Sequence, residues 1–282
     1  MKTALIMEVG AMRGMFTCGA IDVMMEEGIT FDGAAGISAG ATFGCNLKSR
    51  QPGRPIRYNK RFCRDWRYGS LRSLLRTGDL YDADFCYRAL PDELDVFDRR
   101  AYRENPMAFY IGATDVTTGQ AVYRLCAEGN DADIAWMRAS ASMPLVSRPV
   151  KACGHVLLDG GIADAVPYAF MEREGYDRNV LLLTQPKGYR KRKEALLPLM
   201  RVLLRQYPAV VRAMARRHEM YNREMDEIDR MEKDGTCLVI RPDGPLNIGR
   251  TEKDPSELER VYQEGRRVTR ERLPALRAFL RQ

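Results

Sequence analysis

An α/β fold is the class this sequence predicts, and three observations point to it. The first fifty residues alternate strand and helix patterns, apolar runs of buried-strand length recur at Thr3–Met7 and Val180–Thr184, and a glycine-bearing turn separates the first strand from its helix. With 282 residues, 45% of them hydrophobic and 29% charged, the chain can bury one large core or a core plus an appendage.

The elements follow in order. Thr3–Met7 reads as a buried parallel strand. The turn Gly10-Ala11-Met12-Arg13-Gly14 leads into an amphipathic helix from Met15 to Glu27, with Gly28 as its stop. Phe31–Ile37 is the second strand and Ala39–Leu47 the second helix. Residues 49–106 are mostly polar and aromatic, with a helix over Asp82–Leu90 behind an Asp cap, and read as an inserted helical cap region. Met107–Thr114 and Gln120–Cys126 flank Thr117-Thr118-Gly119 as a hairpin. Asp131–Ser140 is a helix, Leu145–Val150 and His155–Leu158 are short strands, and Pro167–Glu174 is a helix that starts on proline. After the strand Val180–Thr184 a helical pattern runs from Leu196 to Met231, interrupted by Pro198 and Pro208. Thr236–Arg241 reads as a last strand. Asp254-Pro255-Ser256-Glu257 then supplies a cap, an N1 proline and an N3 acid for a closing helix.

Composition excludes several classes. Seven scattered cysteines, an odd number without a C-x-x-C pair, suggest neither a zinc site nor a disulfide framework, and no metal or other cofactor is expected. No signal-peptide apolar region and no membrane-span-length stretch is present, so the expected location is a reducing cytoplasm. The net charge of +7 raises nucleic acid as a partner, but zinc spacing, an aromatic-basic RNA signature and a helix-turn-helix pattern are all lacking, so none is expected.

Chemistry concentrates at Gly36-Ile37-Ser38-Ala39-Gly40, a G-x-S-x-G pattern between a strand and a helix. A serine on such a turn holds a strained backbone that lifts its hydroxyl into view, while the flanking glycines let neighbouring elements approach. A hydroxyl needs a proton acceptor. The order Ser38, Asp159, His218 matches an α/β-hydrolase triad, yet the elbow follows only one strand-helix unit, and His218 sits among charged residues on a solvated face. The other histidine, His155, lies four residues before Asp159. Asp159-Gly160-Gly161 is either a simple turn or a loop that brings a carboxylate to Ser38 as a base without histidine.

Three segments together resemble the patatin-like phospholipases: Glu8-Val9-Gly10-Ala11-Met12-Arg13-Gly14, the Ser38 elbow and Asp159-Gly160-Gly161. Ala139-Ser140-Ala141-Ser142-Met143-Pro144 and Leu158–Pro167 are similar to that family's segments around its aspartate. Bacterial stand-alone members also show similarity at Gln51–Arg54, Leu183–Tyr189 and the closing helix with Tyr262 and Gly265. The resemblance implies a three-layer fold with a mixed, largely parallel central sheet and a helical C-terminal extension. It divides the chain into a catalytic core over 1–185 and a basic, mainly helical region over 186–282 packed on it. It further implies a lipid acyl hydrolase in which Ser38 attacks the carbonyl and Asp159 accepts its proton. Backbone N–H groups of Gly10, Ala11 and Met12 would form the oxyanion hole with Arg13 beside it, and Gly14, Gly36, Gly40, Gly160 and Gly161 would be motif glycines. The sequence departs from the family pattern where three consecutive glycines are usual: it has Val9-Gly10-Ala11. A valine at positive φ would be strained there, so one alternative is a weakened or silent lipid-binding relative; another is a thioesterase or acyltransferase, since another nucleophile can intercept the same acyl-serine.

Between Lys187 and Arg217 stand ten basic residues against one acid, Glu194, interleaved with leucines. One reading is peripheral association with the inner face of an anionic membrane. The other packs the leucines on the core and leaves the arginines solvated. Of the cap aromatics Phe62, Trp66, Tyr68, Tyr81, Phe85 and Tyr87, none is assigned to the site, since such residues more often belong to a core.

Overall fold

The computed structural model describes residues 1–281. Strand β1 (Thr3–Met7) turns Leu5 and Met7 to one face and Ala4 and Ile6 to the other, and all four are fully buried. Burial on both faces requires a helical layer on each side. The body of the sheet is parallel, in the order β3 (Ala108–Asp115), β2 (Gly33–Ile37), β1, β7 (Arg178–Leu182) and β8 (Cys237–Ile240). Three further strands are antiparallel: β4 (Ala121–Leu125) pairs with β3 as the expected hairpin, and β6 (His155–Asp159) joins β3 to β5 (Val150–Ala152). The sheet is therefore mixed and largely parallel. Because β8 comes from beyond residue 185, the C-terminal region adds an edge strand as well as helices.

One face carries α1 (Gly14–Glu26), α2 (Ala39–Lys48), α6 (Asp131–Ser140) and α10 (Pro255–Arg281). The other carries α7 (Tyr168–Arg173) and α9 (Pro208–Lys233), whose Tyr221, Met225 and Ile228 cover Ala4 and Ile6. Residues 49–106 hold α3 (Arg54–Phe62), α4 (Leu71–Thr77), a wide π-helical segment (Phe85–Leu94) and α5 (Arg99–Glu104).

Three sequence expectations need correction. The helix expected at Asp82–Leu90 is that π-helix; the Asp82 carboxylate does cap it, accepting from the Phe85 N–H at 3.0 Å, but Pro91 inside it cannot donate in a regular α-helical ladder. Leu145–Val150 is not a strand until Val150. Pro144 precedes the segment and Pro149 lies within it, Leu145 has φ of 69°, and the Arg148 N–H goes to the Asp79 carboxylate at 2.7 Å instead of a strand neighbour. The pattern over Leu196–Met231 divides at Pro208 into α8 (Leu197–Leu203) and α9, whereas Pro198 is accommodated in the first turn of α8.

The C-terminal helix is tied to the first by close backbone approach. A Cβ on Gly19 would lie 2.0 Å from the Tyr262 carbonyl oxygen, and one on Gly265 would lie 2.1 Å from that of Phe16. Tyr262 also donates its hydroxyl to Asp22 at 2.7 Å across the same contact. Gly265→Ala must push the helices apart, so equilibrium denaturation is expected to show a loss of about 1–3 kcal/mol, against less than about 0.5 kcal/mol for Gly249→Ala at an exposed open position.

Candidate active site

The site forms where β2 ends. On one edge of β3, Gly112 pairs with Ile37 of β2 and the next residue, Ala113, pairs with Asp159 of β6; β4 occupies the opposite edge at both positions. Strands β2 and β6 thus share an edge end to end, and their junction sets Ser38 beside Asp159. Gly160 permits this, since a Cβ there would lie 2.5 Å from the Gly112 carbonyl oxygen.

Ser38 turns sharply from β2 into α2 with φ of 54°, a region costly for a residue with a side chain. Gly36 and Gly40 make the turn feasible: a Cβ on Gly36 would meet the Gly40 carbonyl oxygen at 2.3 Å, and one on Gly40 would meet that of Met7 at 2.4 Å. The strained backbone is pinned. The Ser38 N–H donates to Ser140 Oγ at 2.8 Å, and the Ser140 hydroxyl donates onward to the Gly112 carbonyl at 2.6 Å. Ser38 is 6% exposed, and it lines a cavity of about 420 Å³, within the usual range for small-ligand sites.

Asp159 is fully buried. Its Oδ1 accepts from the Gly161 N–H at 2.8 Å, and the Thr114 hydroxyl donates to its main-chain carbonyl at 2.8 Å. The other carboxylate oxygen, Oδ2, has no hydrogen-bond partner. Burial pushes the Asp159 carboxyl above the usual carboxylate range, opposed by the Arg217 guanidinium, the Ser38 hydroxyl and the Gly161 N–H. Ser38 faces the carboxylate closely enough to bias its ionisation, yet no hydrogen bond is closed between them, a looseness common in unliganded sites.

The turn after β1 contributes amides. The Val9 N–H is committed to the Ala165 carbonyl at 3.1 Å, whereas those of Gly10, Ala11 and Met12 have no acceptor among the described residues. The Ala39 N–H, first in α2 and beside the Ser38 hydroxyl, is also free. The expected strain at Val9 is absent. Val9 lies outside the positive-φ region, with its side chain buried against Gly161, and the left-handed residue is Ala11, with φ of 46°. Gly14 packs against Ala39 and Phe43, joining this turn to α2.

Neither histidine meets the pair. His155 Nδ1 lies 2.9 Å from the Asp115 carboxylate, and the one carboxylate within 4.0 Å of His218 on α9 among the described residues is that of Glu219, at 3.8 Å. Of the six cap aromatics, Tyr68, Tyr81 and Tyr87 line the cavity; Phe62 and Phe85 stack edge to face in the core, and Trp66 lies under Arg72 and Arg76. Sequence reasoning missed Ser140 as the anchor of the elbow, although it stands in the Ala139–Pro144 segment. It also missed Arg217 as a site residue: buried, it donates from Nε to the Gly161 carbonyl at 2.5 Å and faces Asp159. Among the described residues no group of side chains could hold a metal ion, and no helix is long and apolar enough to cross a membrane.

A family model for patatin-like phospholipases matches residues 5–171, and a model for a domain of unknown function matches residues 207–281. The uncharacterized protein YjjU of Escherichia coli K12 is 31% identical over 193 residues, covering 66% of this chain and 52% of YjjU, so the chain spans about half the length of that relative. The crystal structure of VipD from Legionella pneumophila aligns with 97% of this chain and 67% of its own, at a TM-score of 0.49 and 13% identity.

Because the strain falls on Ala11 and not Val9, the two positions should respond oppositely to glycine. Ala11→Gly is expected to be neutral or to stabilise by up to about 1 kcal/mol through relief of positive φ. Val9→Gly is expected to cost about 2 kcal/mol or more through lost packing. Paired urea titrations of the two variants measure the difference.

Proposed function

The chain belongs to the patatin-like phospholipase family, and from that premise we propose that it is a serine-dependent lipid acyl hydrolase working with a Ser38–Asp159 dyad. The observation that carries the proposal is the β2–β6 junction on β3, which sets a serine with strained backbone beside a buried carboxylate with one unpartnered oxygen. In this reading Ser38 Oγ attacks the ester carbonyl carbon while its proton passes to Asp159 Oδ2. The carbonyl oxygen becomes an oxyanion facing the free N–H groups of Gly10, Ala11 and Ala39, with Met12 adjoining. Collapse breaks the ester C–O bond, and the leaving alkoxide takes the proton from Asp159. Water then attacks the acyl-serine, giving a proton to Asp159 and releasing the carboxylic acid as Ser38 recovers its own. The ordinary backbone of Val9 and the free Ala11 amide support turnover over a silent relative.

Tyr58, Leu90, Phe97, Ile134 and Met137 line the cavity with apolar surface suited to an acyl chain. Along α8, Leu197 and Met200 are buried, whereas Leu196 just before it and Leu199, Val202 and Leu203 within it are exposed beside Arg192, Lys193, Arg201 and Arg205. The buried residues support core packing for one half of the stretch, and the exposed ones support the interfacial reading for the other. The exposed half suits insertion at the headgroup boundary of an anionic membrane.

Ser38→Ala should lower kcat on short-chain p-nitrophenyl esters by about a thousandfold or more with little change in stability, Asp159→Asn should do nearly the same, and His218→Ala should retain activity. Active Ser38→Ala protein would sink the dyad. Asp159 must be ionised to accept a proton, so kcat/KM should fall on acidification with an apparent pKa above the ordinary carboxylate value. Stability should run the other way: the folded state holds the Asp159 proton after the unfolded chain has lost it, so stability declines as pH rises from about 3.8 toward the folded value. Val202→Asp with Leu203→Asp should weaken sedimentation with anionic vesicles by about tenfold or more, leaving hydrolysis of soluble esters intact.

A further inference from the structure

One face of α9 is turned to the catalytic loops. Arg217, Tyr221 and Glu224 recur at i, i+4 and i+7, so they share that face, and each ends on a different part of the site. Arg217 Nε donates to the Gly161 carbonyl at 2.5 Å, in the loop that carries Asp159. The Tyr221 hydroxyl donates at 2.7 Å to Glu8, at the head of the turn with the free amides, and the same carboxylate accepts from the Thr184 N–H and hydroxyl. Glu224 Oε1 accepts from the Ala165 N–H at 3.4 Å, and the Ala165 carbonyl accepts from the Val9 N–H. A single helix therefore grips the base loop and the oxyanion turn together. It lies outside the residues matched by the phospholipase model and inside the match to the domain of unknown function.

Arg217 is buried, and its charge is answered first by Asp159; Glu194 also favours it, whereas Arg250 and Arg13 oppose it. These three arginines line the cavity with Lys191, each from a separate element: α9, the segment before α10, the turn after β1 and the loop after β7. The bond to Gly161 decides what Arg217 does. Asp159 Oδ1 is taken by the Gly161 N–H and Oδ2 has no partner among the described residues, so the guanidinium favours the ionised carboxylate without hydrogen-bonding it. A direct pair would occupy the oxygen that takes the Ser38 proton. The other ionisable groups facing Asp159 are Lys191 and, from the cap, Tyr87. Burial, with Arg217 beside it, brings the Lys191 ammonium down to about 8, and burial pushes the Tyr87 phenol up, so neither changes charge in the acid range.

We propose that α9 is the positioning element of the reaction: Arg217 keeps Asp159 available as an ionised base, and Tyr221, through Glu8, keeps the oxyanion turn in register with it. This inference rests on the hydrolase reading above and adds to it two residues and the C-terminal helix that brings them. Both side chains act through another residue and not on the substrate. Without the guanidinium a buried carboxylate holds its proton to higher pH, and without the tie to Glu8 the turn can drift from where the oxyanion forms.

Hydrolysis of p-nitrophenyl butyrate, followed from acid to neutral pH, separates the two roles. Arg217→Gln, which removes the charge and keeps a donor, should move the acid limb of kcat/KM upward by about one pH unit or more, and Arg217→Lys should restore most of the wild-type position. Tyr221→Phe should lower kcat by about tenfold or more, with KM within about twofold and the limb in place. A helix that only stabilises the fold would lower the urea midpoint of these variants without that split. An acid limb unmoved in Arg217→Gln, or moved equally in Arg217→Lys, would overturn the proposal, as would wild-type kcat in Tyr221→Phe; the last decides alone should Arg217→Gln not fold. Labelling of Ser38 by a serine-directed fluorophosphonate distinguishes the two levels of inference. Wild-type protein that neither hydrolyses an ester nor is labelled would overturn the hydrolase reading and this proposal with it, whereas active, labelled wild type with variants that keep its limb and kcat would overturn this proposal alone.

Discussion

The shared edge of β3 is the constraint on which the site depends. A strand residue can face one partner on a given edge, and here the parallel partner β2 leaves that edge after Gly112 so that the antiparallel partner β6 can take Ala113. Everything near Ser38 follows from that handover. The chain of β2 must leave sharply, which requires the left-handed Ser38 and the bare Gly36 and Gly40; the chain of β6 must arrive close, which requires Gly160. Ser140 then holds both together, since its hydroxyl spans from the Ser38 amide to the Gly112 carbonyl at the handover itself. Backbone strain at one residue is tolerable because the surrounding hydrogen bonds fix it from several directions.

The same junction explains the electrostatic character of Asp159. A strand end beneath α6 and α9 excludes water, and exclusion of water favours the protonated carboxyl. The Gly161 amide and the Arg217 guanidinium act in the opposite direction, so the carboxyl is poised between a buried acid and a usable base. Arg217 reaches that position from α9, on the face of the sheet opposite α2. The two helical layers consequently supply different parts of the cleft: α2, α6 and the cap give elbow and apolar wall, while α9 brings the charge of Arg217.

Legibility in the sequence tracked how local each feature is. The elbow glycines, the hairpin around Thr117-Thr118-Gly119, the Asn130–Asp131 start of α6 and the proline starts of α9 and α10 follow from contacts within a few residues, and the order of strands and helices could be read from them. The stretch Leu145–Val150 could not. Its apolar letters look like a strand, but Asp79, distant in sequence, takes the Arg148 amide and side chain and draws the segment into a turn. The basic stretch was equally opaque. Its composition does not say that Lys187 and Arg190 are paired, that Lys191 and Arg217 point inward, or that half of α8 is left bare.

By itself the sequence determined the α/β class, the conformational demand at Ser38 and the supply of small residues that close approach requires, because these depend on steric rules applying within one turn of chain. Only the tertiary structure decided that β6 continues the edge vacated by β2, that Ala11 and not Val9 bears the left-handed conformation, and that cations from four separate elements meet in one cleft. The reason is physical. Strand pairing, burial and like-charge crowding are properties of residues that are far apart along the chain and neighbours only after folding.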